Sequence, residues 1–337
     1  MPELPEVETV RRGLEKLIIG KVVKAATSNT PKSFPNAPAD VERFLTGAEI
    51  TAVRRRAKVL MIDLDNEYSL MIHLKMTGQL VYVGVTQPFS SEDTRAVKNG
   101  SLAGERRSPS EKVASLPDHF DTRAAEVLSD ETSELRFGAG HPNDSLIGEL
   151  PDRSTRIIIE FTDGSHLYFN DQRKFGWVKL LPSIEIPNID FMKKVGPEPL
   201  EADFTWQEFA ERFKRRAKTS IKAALLDQTV VAGVGNIYAD ESLWGAKLHP
   251  QRLVATITGD EFHLLFDELR SVMNLAIEKG GSTDKNYVNA EGKRGSYMDF
   301  ARVFRREGSP CPRCKATIVK FKAAGRGTHI CPNCQVL

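Results

Sequence analysis

An α+β, multidomain fold is expected of this 337-residue chain from three features. Apolar and β-branched runs crowd its first half, helical spacing takes over after Pro197, and all four cysteines lie near the C-terminus. The length exceeds one average domain, so separate cores are the starting expectation. Net charge is only +2 but unevenly spread: residues 286–337 hold ten Lys/Arg against three acids, and residues 86–150 hold twelve acids against seven bases. A basic end of that kind suggests a polyanion partner. No window holds 18 consecutive apolar residues, and the N-terminus lacks the basic-then-apolar order of an export signal, so a cytoplasmic protein is expected.

The elements follow in order. Val7, Val10, Leu14, Leu17 and Ile18 fall at helical spacing, which predicts an amphipathic helix over Pro5–Leu17, with Pro5 suited to its first position and Glu6 and Glu8 to its positive end. From Glu49 to Val83 the texture is that of strands, broken at Asp65-Asn66. RIIIEF and HLYFND flank Thr162-Asp163-Gly164-Ser165, a hairpin signal. Between these groups, residues 85–150 are rich in Ser, Pro, Gly and charge and read as a largely disordered insertion. Asp203 is the expected cap of FTWQEFAERFKRRAK; TSIKAALLDQ follows, then a turn at Val234-Gly235-Asn236 into IYADESLWG, and a capping box of Thr258 and Glu261 opens a long helix to Lys279.

Cys311-Pro-Arg-Cys314, sixteen residues, then Cys331-Pro-Asn-Cys334 has the spacing of a four-thiolate zinc site. Four thiolates leave no open coordination position, so such a metal holds the fold. The alternative, disulfides, is disfavoured in a cytoplasmic chain. The intervening KATIVKFKAAGRGTHI alternates like two strands joined at Ala324–Gly327, which presents Arg326 at the tip of a metal-braced hairpin. Such a tip suits a nucleic-acid groove or is a solvated turn.

VVAGVGNIYADES contains a Gly-x-Gly, but helix precedes it and no phosphate-loop lysine follows, which weakens a nucleotide-binding reading. Amides and Asn236 meeting a phosphate at the next helix start is more economical, with Lys214, Arg215, Arg216, Lys218 and Lys222 near in sequence.

The opening MPELPE bears on chemistry. Initiator methionine is readily removed before proline, which leaves a secondary amine at Pro2, and an α-amino group titrates near neutrality. Condensed with a sugar C1′, such an amine gives an iminium with no N–H to lose, an electron sink. Glu3 beside it can move protons, and Lys58 can add charge or a proton if the strands bring it close.

The opening MPELPEVETVRRGL, the lysine of RRRAKVL, HLKMTG, DQRKFG, GPEPL, KTSIKAALLDQ, VVAGVGNIYADESL, LHPQR and GRGTHICPNC together resemble the formamidopyrimidine-DNA glycosylase family, over everything except residues 84–150. The resemblance implies an N-terminal β-sandwich with flanking helices (2–185), a helix-two-turn-helix domain (186–285), and a lesion loop with a C-terminal zinc-finger β-hairpin (286–337). It implies that Pro2 attacks C1′ of a damaged nucleotide, Glu3 is the acid/base, Glu6 supports the site, Lys58 aids proton transfer, and Arg326 assists the second of two eliminations that cut the DNA. Met76, Arg173 and Phe175 match the family's intercalating trio. Lys174, Lys218, Asn236 and Arg326 match phosphate contacts, and Lys222 matches a residue near the lesion. Ser154 stands where many members have a DNA-contacting histidine, and Thr77 at a variable position near the lesion. One structural zinc ion, a duplex DNA partner and a monomeric state are the corresponding expectations. Two other readings are open: an endonuclease VIII-type enzyme for oxidised pyrimidines, disfavoured by Leu4 where glycine is usual, and a non-catalytic zinc-finger DNA-binding protein, disfavoured by Pro2, Glu3 and Lys58 occurring together.

Overall fold

The computed structural model describes residues 2–85, 134–141, 144–146, 148–282 and 297–337. Residues 283–296, which include most of the expected lesion loop, and most of the expected insertion, 86–133, lie outside the described residues. The helix α1, Leu4–Ile18, begins one residue earlier than the sequence spacing predicts, with Glu3 at its cap. Its apolar stripe is fully buried, from Leu4 through Val7, Val10 and Leu14 to Ile18.

Two sheets with antiparallel pairings make up the N-terminal half. One has the order β1 (Val23–Ser28), β7 (Thr155–Phe161), β8 (His166–Asp171), β5 (Gly78–Val85), β6 (Glu134–Gly140). The other runs β2 (Ile50–Arg56), β3 (Val59–Leu64), β4 (Tyr68–His73), β9 (Trp177–Pro182). Near-continuous burial along β3 and β4 explains their Val/Leu/Ile/Met runs, since strands covered on both faces lose polar alternation. A short helix, α2 (Pro38–Phe44), lies between β1 and β2 in the chain. Strand β6 corrects the expected insertion: its C-terminal part is ordered, because Phe137 is buried against Gly13 of α1, where any Cβ would overlap the ring.

After the short α3 (Asp190–Lys194), the helical half comprises α4 (Trp206–Lys214), α5 (Ile221–Leu226), α6 (Asn236–Gly245) and α7 (Gly259–Glu278). Thr205, not Asp203, caps α4, because only Thr205 forms a reciprocal box with Glu208. The Thr258–Glu261 box at α7 matches expectation. Leu4 of α1 packs into the Phe204, Phe209, Phe213, Leu243, Leu269 core, so the first helix belongs to both halves. The hairpin β10 (Val319–Ala323) and β11 (Arg326–Ile330) turns through Ala324 and Gly325, at φ 50° and 70°, the left-handed pair of a two-residue hairpin turn. Among the described residues no helix is long and apolar enough to cross a membrane.

Candidate functional site

The turn from Gly233 to Ile237 is the hub. Gly233 sits at φ 79°, and its carbonyl accepts the Leu4 amide at 3.1 Å, so the start of α1 is stitched to it. Lys58 Nζ donates to the Val234 carbonyl at 2.8 Å. The Ile237 amide donates to Glu3 Oε1 at 3.1 Å. The chain therefore brings the buried Glu3, with buried Pro2 next to it, and Lys58 of the β2–β3 turn onto one turn. Glu3's own carboxylate takes the Ile237 amide at the positive end of α6, so that amide is not free for the phosphate expected there.

Glu3 is 3% exposed, and its Oε2 has no hydrogen-bond partner among the described residues. Burial pushes its carboxyl up to about 7 despite the attraction of Lys58, with the charge of Glu6 adding to the rise. Burial likewise lowers Lys58, opposed by Glu3 and Glu6 and reinforced by the Arg326 charge. A buried acid poised near neutrality beside a buried amine is the arrangement proton transfer needs. Glu6 fixes the cluster: Oε2 accepts the Glu3 amide at 2.8 Å, and Oε1 accepts Tyr238 Oη at 2.6 Å and the Ser282 amide at 2.8 Å.

Arg326 is exposed at the hairpin tip. Asn236 Nδ2 donates to the Gly327 carbonyl at 2.9 Å, which ties that tip to the start of α6. Lys218 is exposed. Lys222 is not: it is 0% exposed and paired with Asp240 at 2.6 Å, so the expected DNA contact is one its side chain does not offer in this conformation. Ser154 is also buried, its Oγ hydrogen-bonded to Asp152 and Ser145, and so faces no ligand as the matched histidine would.

The predicted trio is brought together in two neighbouring loops. Met76 is half-buried; Phe175 is 46% exposed with the Arg173 guanidinium 4.8 Å from its ring, and Lys174 adopts φ 56°. Asp171, which sequence reasoning missed, organises both loops. It is fully buried and accepts from Thr77 Oγ1, from the Arg173 amide at 3.1 Å and from the Gly176 amide at 2.6 Å. Glu198 of GPEPL was likewise unassigned; it pairs with Arg55 at 2.8 Å and takes the amide of Ala57, the residue before Lys58.

The four cysteine sulfurs lie within 4.8 Å of one another. A tetrahedral zinc with bonds of about 2.3 Å separates its sulfurs by about 3.8 Å, so the donor set fits. Cys311 and Cys331 are buried with Trp244, Val303 and Ile318, which docks the module on the end of α6.

Models of the formamidopyrimidine-DNA glycosylase N-terminal domain, the H2TH domain of the same proteins, and the zinc finger found in FPG and IleRS match residues 1–178, 195–287 and 308–336. The chain belongs to the formamidopyrimidine-DNA glycosylase family. Formamidopyrimidine-DNA glycosylases from Listeria innocua and Streptococcus pyogenes are 36% and 37% identical, covering 99% of this chain and 100% and 98% of their own. Among solved structures, Lactococcus lactis Fpg in complex with abasic-site DNA is 31% identical with a TM-score of 0.74, covering 99% of this chain and 100% of its own. The same organism's enzyme with DNA containing an oxidised pyrimidine is 32% identical with a TM-score of 0.73, covering both chains fully. As a glycosylase of this family the chain carries one structural zinc ion, held by Cys311, Cys314, Cys331 and Cys334.

Proposed function

We propose that this protein excises oxidised purines, 8-oxoguanine and formamidopyrimidines, from duplex DNA and then cleaves the abasic site. The observation that carries this reading is the convergence of Glu3, next to Pro2, and Lys58 on the 233–237 turn, with Glu3 poised at about 7. With the initiator methionine removed, the Pro2 nitrogen bonds to C1′ as the glycosidic bond breaks; the electron pair of that bond leaves with the base, which takes up the proton lost from the Pro2 nitrogen. Glu3 gives its proton to the ring oxygen as the sugar opens, and the iminium keeps its charge on nitrogen. Lys58 stabilises the negative charge that develops nearby. Loss of a C2′ proton expels the 3′ phosphate; Arg326 assists the second elimination.

Residues 2–185, 186–285 and 286–337 form the catalytic, helical and loop-plus-finger parts. Met76, Arg173 and Phe175 fill the space left by the everted nucleotide, and Lys174, Lys218 and Asn236 hold phosphates. The enzyme acts as a monomer in the bacterial cytoplasm, on the nucleoid, in keeping with the bacterial sources of its relatives.

Borohydride trapping tests the reading. Wild type becomes covalently attached to an oligonucleotide with 8-oxoguanine opposite cytosine, and Pro2→Gly does not. DNA binding without any trapping would instead mark a non-catalytic binding protein. Oxidised pyrimidines belong in the same panel, because a relative has been solved with one. Preferential trapping there would favour the endonuclease VIII-type reading, against the burial of Leu4 beneath Gly233.

A further inference from the structure

The hairpin that carries Arg326 is pinned to the helical half by a buried ion pair. Lys222 of α5 and Asp240 of α6 are both 0% exposed, and their side chains meet at 2.6 Å. Lys222 Nζ also donates to Thr328 Oγ1 at 2.7 Å and approaches the Gly327 carbonyl at 3.5 Å. The second Asp240 oxygen accepts the His329 amide at 2.9 Å and lies 3.1 Å from His329 Nδ1. Three consecutive residues of β11, the three that follow Arg326, are thus held by one carboxylate–ammonium pair. Asp240 lies one helical turn beyond Asn236, on the helix whose first turn holds Glu3 and whose preceding turn holds Lys58. The other ties of the hairpin are weaker or lie elsewhere on it: Phe321 of the outer strand stacks on His249 at 5.8 Å, the exposed Lys320 pairs with Glu307, and Asn236 donates to the Gly327 carbonyl.

We infer that Asp240 is a positioning residue which, through Lys222, Thr328 and His329, sets Arg326 against the leaving phosphate of the second elimination. This rests on the role proposed above for Arg326. In that step the C4′–H bond breaks with its proton passing to water, its electron pair extends the conjugated chain, and the C5′–O bond breaks with its pair departing on the 5′ phosphate. No oxidant or further reactant is needed. A guanidinium stabilises that departing charge only if it is already in place.

The test is the ratio of δ- to β-elimination products on a preformed abasic site, measured with full-length, zinc-loaded protein. Asp240→Asn is expected to retain one zinc per chain and base excision while the δ-step slows about 10- to 100-fold, the scale of an ångström-sized displacement. Thr328→Val, which leaves the ion pair intact, shifts the ratio the same way by less. Arg326→Ala separates the two readings. If it leaves δ-product unchanged, the role of Arg326 fails; if it removes δ-product while zinc-loaded Asp240→Asn and Thr328→Val keep the wild-type ratio, the positioning role fails. Loss of zinc from both variants also overturns the inference, leaving Asp240 a purely structural residue.

Discussion

Replacing Gly235 with alanine probes how tightly Glu3 is held. A Cβ there would lie 2.2 Å from Glu3 Cδ and 2.4 Å from its Oε1, where ordinary contact starts at 3.4 Å. The carboxyl group must therefore retreat by about 1.2 Å, which breaks its bond to the Ile237 amide. The backbone itself is indifferent: φ −131°, ψ −165° is extended and open to any residue, unlike φ 79° at Gly233. Stability should thus change little while chemistry suffers. A misplacement of about 1 Å costs on the order of 100-fold, or about 2.7 kcal/mol of barrier. Single-turnover excision of 8-oxoguanine opposite cytosine measures it, with DNA affinity and thermal melting as controls. The double variant with Glu3→Gln should be no slower than Glu3→Gln alone, because both changes act on one group. Excision within a few-fold of wild type would refute the placement of Glu3 as the proton donor.

Glu3 also sets a pH signature. Its folded-state value near 7 exceeds the ordinary 4.5, so the folded protein binds the extra proton between those values. The destabilisation it brings is absent below pH 4.5, grows through that window and is complete above 7. Glu3→Gln should therefore be more stable than wild type at pH 8, by at most about 3 kcal/mol, and equal to it near pH 4; denaturant melts at both values decide. It should also bind DNA yet lose base excision, whereas wild-type excision should decline above pH 7 as Glu3 loses its proton. Zinc chelation, or Cys331→Ser, should abolish DNA binding while the strands of the N-terminal half stay folded by circular dichroism; undiminished affinity would take the hairpin out of the interface. Phe175→Ala should change stability by less than about 1 kcal/mol, being half exposed, but slow excision, since only Met76 and Arg173 are left to fill the vacated stack; an unaltered rate would exclude it from that role.

Much of this was legible in the sequence where the signal is local. The 3- and 4-residue spacing in α1, the Thr258–Glu261 box and the paired CxxC motifs each specify structure within a turn or two of the chain. What escaped is long-range. Phe137 makes β6 a strand by meeting Gly13 across more than a hundred residues, in a stretch whose composition reads as loop. Asp171, Glu198 and Asp240 are ordinary acids until the fold supplies their partners. Lys222 shows the limit of charge counting, because a lysine in a basic run, matched by resemblance to a residue near the lesion, is wholly enclosed. Chemistry singles out Pro2, Glu3 and Lys58, but only the 233–237 turn explains how Glu3 and Lys58, so distant in sequence, meet.

The three donors on Glu6 have a consequence for how such enzymes can diversify. One carboxylate serves the first helix, Tyr238 of α6 and the amide of Ser282. Neither half is therefore an interchangeable cassette. A chimaera joined at the linker between relatives inherits working chemistry only when the donor of the front end and the donor of the back end agree on this junction, so Glu6, Tyr238 and the backbone at 282 must be transplanted as one inheritance.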